Sequence, residues 1–326
     1  MKRKNTIKIT SITIAILLMI SISIMSVNAQ NDNYPKKNIT VIIPYPAGGG
    51  TDTITRIIDK YIEDELGARF NFVYKTGAGG AIGATEVARA LNDGYTIGGV
   101  NIPHIVLQSI TGTGDFGLND FDYICQMADT SLIFVTPKGS KYTDLKSFIK
   151  AAKENPGKLT VGCPGALGDS SIAAWMFLEA ANIEFTPVYY KGGAELLSAI
   201  LGKHVDAAFS AINMTIPEKE SMNLLAISTS TNERSKDLPE VLTFKELGYD
   251  VESFAARVYI APDGLDPDIY NKLLEGFKGV YDNPLYQKDI QKAKFNSNWM
   301  SGSDLEKFVK DYNEKAVFLI DKYYQK

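Results

Sequence analysis

The sequence predicts an α/β protein of two lobes, each a mainly parallel sheet covered by helices, with strands crossing between them. Three observations carry this. Short apolar runs alternate with helical stretches from Asn38 onward. The alternation renews itself in the second half. The chain of 326 residues also exceeds what one hydrophobic core usually serves.

Ile39–Ile43 is a short apolar run of the kind found in a buried strand. Residues 51–66 then place Ile54, Ile57, Ile58, Tyr61, Ile62 and Leu66 at helical spacing. Phe70, Phe72 and Tyr74 alternate as in a strand, a glycine cluster intervenes, and residues 81–91 read as a helix ending near Asn92-Asp93-Gly94. Residues 95–100 form the next strand, and residues 121–135 are an apolar stretch long enough to pass from one lobe to the other. Beyond it come strand 159–163, helix 171–181, strand 185–189, helix 194–201 and strand 205–209. Residues 132–139 and 257–264 look alike, each an apolar strand closed by Pro-x-Gly, and read as the two crossings. The expected division is residues 30–130 with 255–326 as lobe 1 and residues 131–254 as lobe 2.

The front end sets the expected compartment. Residues 1–8 carry Lys2, Arg3, Lys4 and Lys8 with no acidic residue, and an apolar run to Met25 follows. This is the pattern of a secretory signal, with cleavage expected after Ala29, and an uncleaved membrane anchor is the alternative. The first cysteine is Cys125, so a lipid anchor has no attachment point near the cleavage site. A soluble periplasmic protein is the expectation. Removing the four basic residues of the signal moves the formal net charge from −4 to −8, which disfavours a nucleic-acid partner. Cys125 and Cys163 could form one disulfide in an oxidising compartment, but sequence does not measure their separation.

Two glycine-rich loops dominate the chemistry of the first half. Pro44-Tyr45-Pro46-Ala47-Gly48-Gly49-Gly50-Thr51-Asp52 and Lys75-Thr76-Gly77-Ala78-Gly79-Gly80-Ala81-Ile82-Gly83 each join a strand to a helix. Glycine lets bare backbone approach a ligand, and a helix start offers unpaired N–H groups with partial positive charge. Together they form a cradle for an anion. Neither loop fits nucleotide binding. Gly157-Lys158 and Gly202-Lys203 lack the following Ser or Thr of a phosphate loop, and the third glycine of a dinucleotide loop falls on Ile82 or Thr53.

In the second half, Ser170 and Ser171 could cap a helix or donate hydroxyls to a ligand, and Lys191-Gly192 follows another strand. Asp206, read inside the apolar run 205–209, needs a partner, either a backbone donor or a ligand amine. Catalysis has little support. His104 and His204 are the only histidines, no His-Glu-x-x-His pair exists for zinc, and no carboxylate cluster or EF-hand loop holds a metal. Gly168-Asp169-Ser170-Ser171 suggests the start of a hydrolase serine block, yet Ile172 breaks the nucleophile elbow and no Asp-x-x-His follows. A binding protein without cofactor or metal is the expected class. A secreted serine hydrolase using Ser170 and a ligand sensor for a signalling partner are the alternatives.

At these residues the chain resembles the extracytoplasmic receptors of the tripartite tricarboxylate transporters, also called the Bug family. The resemblance is carried by the 44–52 loop with Arg56, the 77–83 loop, Asp93-Gly94-Tyr95, Val161-Gly162-x-Pro164-Gly165, Tyr190-Lys191-Gly192-Gly193, Gly202-x-x-Val205-Asp206-Ala207-Ala208-Phe209, and Leu238-Pro239-Glu240-Val241 with Thr243 and Glu246-Leu247-Gly248. It implies a periplasmic-binding-protein type II (Venus-flytrap) fold with the ligand between lobes. It further implies a small carboxylate solute (a di- or tricarboxylate, an acidic amino acid or an aromatic acid), delivered by a monomer to large and small membrane subunits. The first-lobe glycine loops are implied to hold one carboxylate through backbone groups and ordered water. On that basis Tyr45, Ala47, Gly48, Gly49, Thr51, Asp52, Gly79, Gly80 and Ala81 are expected to grip the proximal carboxylate, Asp52 by ordering its loop rather than by touching the anion. Ser170, Ser171, Lys191, Gly192 and Asp206 are expected to read the distal end. Tyr189, where the family often has Pro, and Asp169, where it commonly has a small residue, depart from the pattern in the second lobe.

Overall fold

The computed structural model describes residues 34–230 and 233–324. The signal segment expected over residues 1–29 lies outside the described residues. The first lobe opens with β1 (Ile39–Ile43), α1 (Gly50–Leu66), β2 (Phe70–Tyr74), α2 (Ala81–Ala88), β3 (Thr96–Ile102) and α3 (His104–Thr111). β1 lies between β2 and β3 and runs parallel to both. α1 buries Ile54, Ile57, Ile58, Ile62 and Leu66, the face its spacing defines, and stops at Gly67 in the left-handed region. α2 ends at Ala88, earlier than the expected residue 91, because Leu91, which extends the apolar pattern, points to solvent at 76% exposure.

The joint between the lobes is a single long strand, β4 (Phe121–Pro137). Its first part pairs antiparallel with β9 (Phe254–Pro262), the last partners being Ser131 and Phe254. From Leu132 onward it pairs instead with β7 (Ala207–Ala211) and β8 (Met222–Ser228). The change of sheet therefore falls at Ser131 and Leu132. The reading of residues 257–264 as a crossing is corrected: β9 pairs along its length with β3 and β4 in the first sheet. The chain has already returned to that sheet by Phe254. The two look-alike segments are alike because each is a fully buried antiparallel strand within its own sheet, which demands the same apolar run.

The second lobe places β5 (Thr160–Pro164) between β6 (Thr186–Tyr190) and β7, parallel to both. α4 (Leu145–Glu154), α5 (Asp169–Ala181) and α6 (Gly193–Leu201) supply its helices. Its core is aromatic: Phe134 lies 4.7 Å from Phe209 and 5.0 Å from Phe148, centroid to centroid, and Phe177 lies 5.1 Å from Phe244. Each lobe is thus a parallel trio of strands completed by antiparallel strands.

After a short α7 (Ile212–Thr215) between β7 and β8, the chain finishes with α8 (Pro267–Asp282), α9 (Pro284–Lys292), β10 (Asn296–Ser301) on β4, and α10 (Gly302–Tyr323). α10 packs on α3 of the first lobe and α5 of the second, where Lys322 and Tyr323 both donate to Glu179. Cys125 and Cys163 are buried in separate core clusters and both are free. Among the described residues, no helix is long and apolar enough to cross a membrane, and no group of His, Cys, Asp and Glu could hold a metal ion.

Candidate ligand-binding cleft

The loops after β1, β2, β5 and β6 all leave the carboxyl ends of parallel strands, where open α/β sheets form their crevices. Between them lies a cavity of about 580 Å³. The first lobe contributes Tyr45 and the turn from Thr76 to Gly80; the second contributes Gly165, Asp169, Lys191 and Gly192. β9 supplies Ala255 and Arg257, and α3 supplies His104. The walls meet closely: a Cβ added at Gly168 would come within 3.0 Å of His104 Nε2.

The 76–80 turn is built to present backbone. Gly77, Ala78, Gly79 and Gly80 have φ of 132°, 47°, 67° and 109°, a run that only glycine adopts freely, and Ala78 joins it at a steric cost. Gly80 N–H donates to the Gly77 carbonyl and Ala81 N–H to that of Ala78. The amides of Ala78 and Gly79 donate to no backbone acceptor among the described residues. Successive amides in such a turn form a concavity that attracts anions. Gln108, buried on α3, fixes the turn from behind by donating Nε2–H to the Gly79 carbonyl at 2.9 Å. Tyr45 closes one side, its hydroxyl accepting from Asn101 N–H at 3.1 Å and its ring standing edge-on to His104 at 5.7 Å.

The 44–52 loop does something else. Asp52 is buried, and its carboxylate accepts from Gly48 N–H at 2.7 Å, Tyr74 O–H at 2.6 Å and Arg56 Nε–H. Burial pushes this carboxyl upward, but the bonds from Tyr74, Gly48 and Arg56 outweigh it and hold the group below its usual range. Gly49 N–H donates to the Pro46 carbonyl at 3.1 Å. The loop therefore takes up the amides of Gly48 and Gly49 within itself, and only Pro44, Tyr45 and Pro46 of it reach the cavity. Thr51 is buried and donates to Asn101 Oδ1 at 2.8 Å.

Of the fourteen residues expected at the ligand, Tyr45, Gly79, Gly80, Lys191 and Gly192 line the cavity. Ala47, Gly48, Gly49, Thr51, Asp52 and Ala81 stand outside its lining, and Asp52 orders the loop, as expected of it. Ser170 and Ser171 also stand outside the lining. Ser171 Oγ donates to the Gly165 carbonyl at 2.7 Å, shaping the loop that does line it, whereas Ser170 is buried with no partner for its hydroxyl among the described residues. The helix cap expected of them falls to Gly168. Asp206 is displaced furthest. β7 starts after it, and its carboxylate takes Thr160 N–H at 2.9 Å and Thr160 Oγ–H at 3.0 Å, at the end of β5 remote from the cleft. Of the two partners allowed for it, the backbone donor is the one it has.

Sequence reasoning missed Arg257, Asp169, His104 and Gln108. Arg257 carried a readable signal: it is the one charged residue in the run Phe254–Pro262, the argument that was spent on Asp206. The residue is 9% exposed, with Nη2 3.2 Å from Thr130 Oγ1, Nη1 3.5 Å from Thr51 Oγ1, and Nε without a partner among the described residues. Burial lowers its pKa, and the nearby carboxylate of Asp169 opposes that shift. Burial likewise lowers the pKa of His104, which favours a neutral ring whose Nδ1 has no partner among the described residues.

Fold and cleft together define a two-lobe solute-binding protein. The chain matches, over residues 54–324, the model of the tripartite tricarboxylate transporter family receptor, and it belongs to that family. A curated protein of Cupriavidus necator, "UPF0065 protein in gbd 5'region", is 30% identical over 99% of this chain and 98% of its own. The structure of the periplasmic binding protein BugD is similar at a TM-score of 0.75 and 25% identity, covering 89% of this chain and 98% of that one. MatC from Rhodopseudomonas palustris with bound malate shares the fold at a TM-score of 0.73 and 21% identity, over 88% and 100% of the two chains. The chain is a transport receptor of this family rather than an enzyme.

Proposed function

We propose that this receptor captures a small carboxylate in the periplasm and hands it to the large and small membrane subunits of a tripartite transporter. The observation that carries the reading is the amide pair of Ala78 and Gly79, which has no backbone acceptor among the described residues and belongs to a turn lining a cavity between the lobes. With an expected mature charge of −8, the protein's overall field repels carboxylates, so the attraction is local and comes from these dipoles at short range. The malate bound by MatC supports the same ligand class.

Residues 131–254 move as one lobe against 30–130 with 255–326, the motion hinging where β4 changes sheet and just before Phe254. Closure seals the ligand between the 76–80 turn and the 165–169 and 190–192 loops. The protein works as a monomer, released from its signal after Ala29.

A thermal-shift screen of di- and tricarboxylates, acidic amino acids and aromatic acids on the mature protein tests this. A true ligand at about a hundred times its dissociation constant adds roughly 2.7 kcal/mol of stability. Replacing Gly79 by Leu places a side chain on a residue at φ 67° and blocks its amide, so the ligand-induced shift is expected to vanish while the fold persists. A screen in which no carboxylate moves the melting temperature sinks the proposal.

A further inference from the structure

The cavity holds two opposite charges that the protein does not pair with each other. Arg257 is the more demanding. A buried guanidinium needs an anion, because leaving a charge uncompensated in low dielectric costs several kcal/mol. Its hydrogen-bonding contacts are two threonine hydroxyls, at 3.2 and 3.5 Å, and no carboxylate among the described residues is close enough to form an ion pair with it, although the charges of Asp169 and Asp129 act on it from farther off. Its position raises the cost. A Cβ built on Gly50 would lie 2.8 Å from Nη2, so the cation sits against the first residue of α1, the positive end of a helix dipole. Asp129, the other acidic group near it, is already held by Ser230, Asn296 and Asn298, each at 2.7 Å.

Asp169 is the second charge. It opens α5 from the other lobe, is half-buried in the same cavity wall, and its carboxylate has no hydrogen bond among the described residues. A ligand bearing only carboxylates would relieve Arg257 and be repelled by Asp169. A ligand that also carries an ammonium group satisfies both.

Resting on the carboxylate-receptor reading above, we propose that Arg257 and Asp169 make this cleft selective for amino-substituted carboxylates, with a ligand carboxylate facing Arg257 and its ammonium facing Asp169. The pair acts as a specificity filter laid over the backbone cradle. Arg257 supplies a planar donor fork that lysine does not reproduce.

The test is calorimetry on the mature protein with matched pairs differing only by the amino group: propionate and L-alanine, succinate and L-aspartate, glutarate and L-glutamate. The wild type is expected to favour the amino member of at least one pair by about 10-fold or more. Asp169→Asn should bring that preference below about 3-fold while carboxylate binding survives. Arg257→Gln should weaken binding by about 30-fold or more, yet melt without ligand at or above the wild-type temperature, because a buried unpaired charge is gone. Should Arg257→Gln fail to fold, the Asp169→Asn result decides alone. Equal binding within every pair, or a preference that survives Asp169→Asn, overturns the filter but leaves the carboxylate receptor standing. Wild-type protein that binds no member of any pair, and shows no shift with any acid of the wider screen, overturns both.

Discussion

The 44–52 and 75–83 loops look like twins in the sequence, each a glycine-rich link from a parallel strand to a helix, yet they divide the work. The first is closed on itself: Asp52 gathers Gly48, Tyr74 and Arg56, and the loop's own carbonyl takes Gly49 N–H. The second is held differently: Gln108 donates to the carbonyls of Ala78 and Gly79, the amides of those two residues have no backbone acceptor among the described residues, and both residues line the cavity. Glycine serves two ends here, tight turning in one loop and bare backbone in the other. Only the neighbours distinguish them.

The sharpest way to break this comparison is Asp52→Ala. Removing a buried carboxylate with three donors should cost about 2–4 kcal/mol of stability, read by denaturant unfolding, with carboxylate affinity of the folded protein little changed. Lost affinity at unchanged stability would mean that the first loop grips the ligand after all.

Gly80→Ala comes next. Its Cβ would stand 2.8 Å from Tyr45 Cε1 at a φ of 109°, so the turn or the tyrosine must shift, at about 1–3 kcal/mol of strain. Titration calorimetry should show affinity falling by about 10-fold, since both displaced groups line the cavity. Gly48→Ala is the matched control. Its φ of 79° strains an alanine by roughly 1–2 kcal/mol, but nothing lies within 4 Å of the new Cβ, so ligand affinity should hold.

Smaller effects belong to pH. His104 has a depressed pKa in the folded state, so as pH falls below 6.5 the unfolded chain takes up a proton that the native chain refuses, and stability drops. His104→Gln should flatten that limb of a melting-temperature profile. Glu246 is held down to about 2 by its bonds with Arg234 and the Thr243 amide; its contribution is complete above 4.5 and disappears as pH falls toward 2. Glu246→Gln should remove that acid limb and leave the neutral range and ligand binding alone, because the pair lies outside the cleft.

Much of the fold was legible because it rests on periodicity. The apolar spacing of residues 51–66 is the buried face of α1, and the renewed alternation after residue 159 is the second parallel trio. That Tyr45, Gly79, Gly80, Lys191 and Gly192 line the cavity was legible too, since they sit in loops at the carboxyl ends of parallel strands, where crevices form. Asp206 misled. A carboxylate next to an apolar strand needs a partner, and the sequence does not say whether that partner is a ligand or the amide of Thr160, 46 residues away. Arg257 was overlooked for the mirror reason: its neighbours in the chain are core residues, and what makes it matter is a helix start two hundred residues earlier.

By itself the sequence determined the two α/β lobes, the strands and helices of each parallel trio, and the glycine-rich character of the loops that follow them. These follow from side-chain period and from glycine, which act over a few residues. The tertiary structure alone decided which residues of each glycine loop line the cavity, where β4 changes sheets, and that an arginine and an aspartate from different lobes line one cavity without an ion pair between them. Those outcomes depend on contacts between residues far apart in the chain, where burial and hydrogen-bond satisfaction, rather than local pattern, choose each partner.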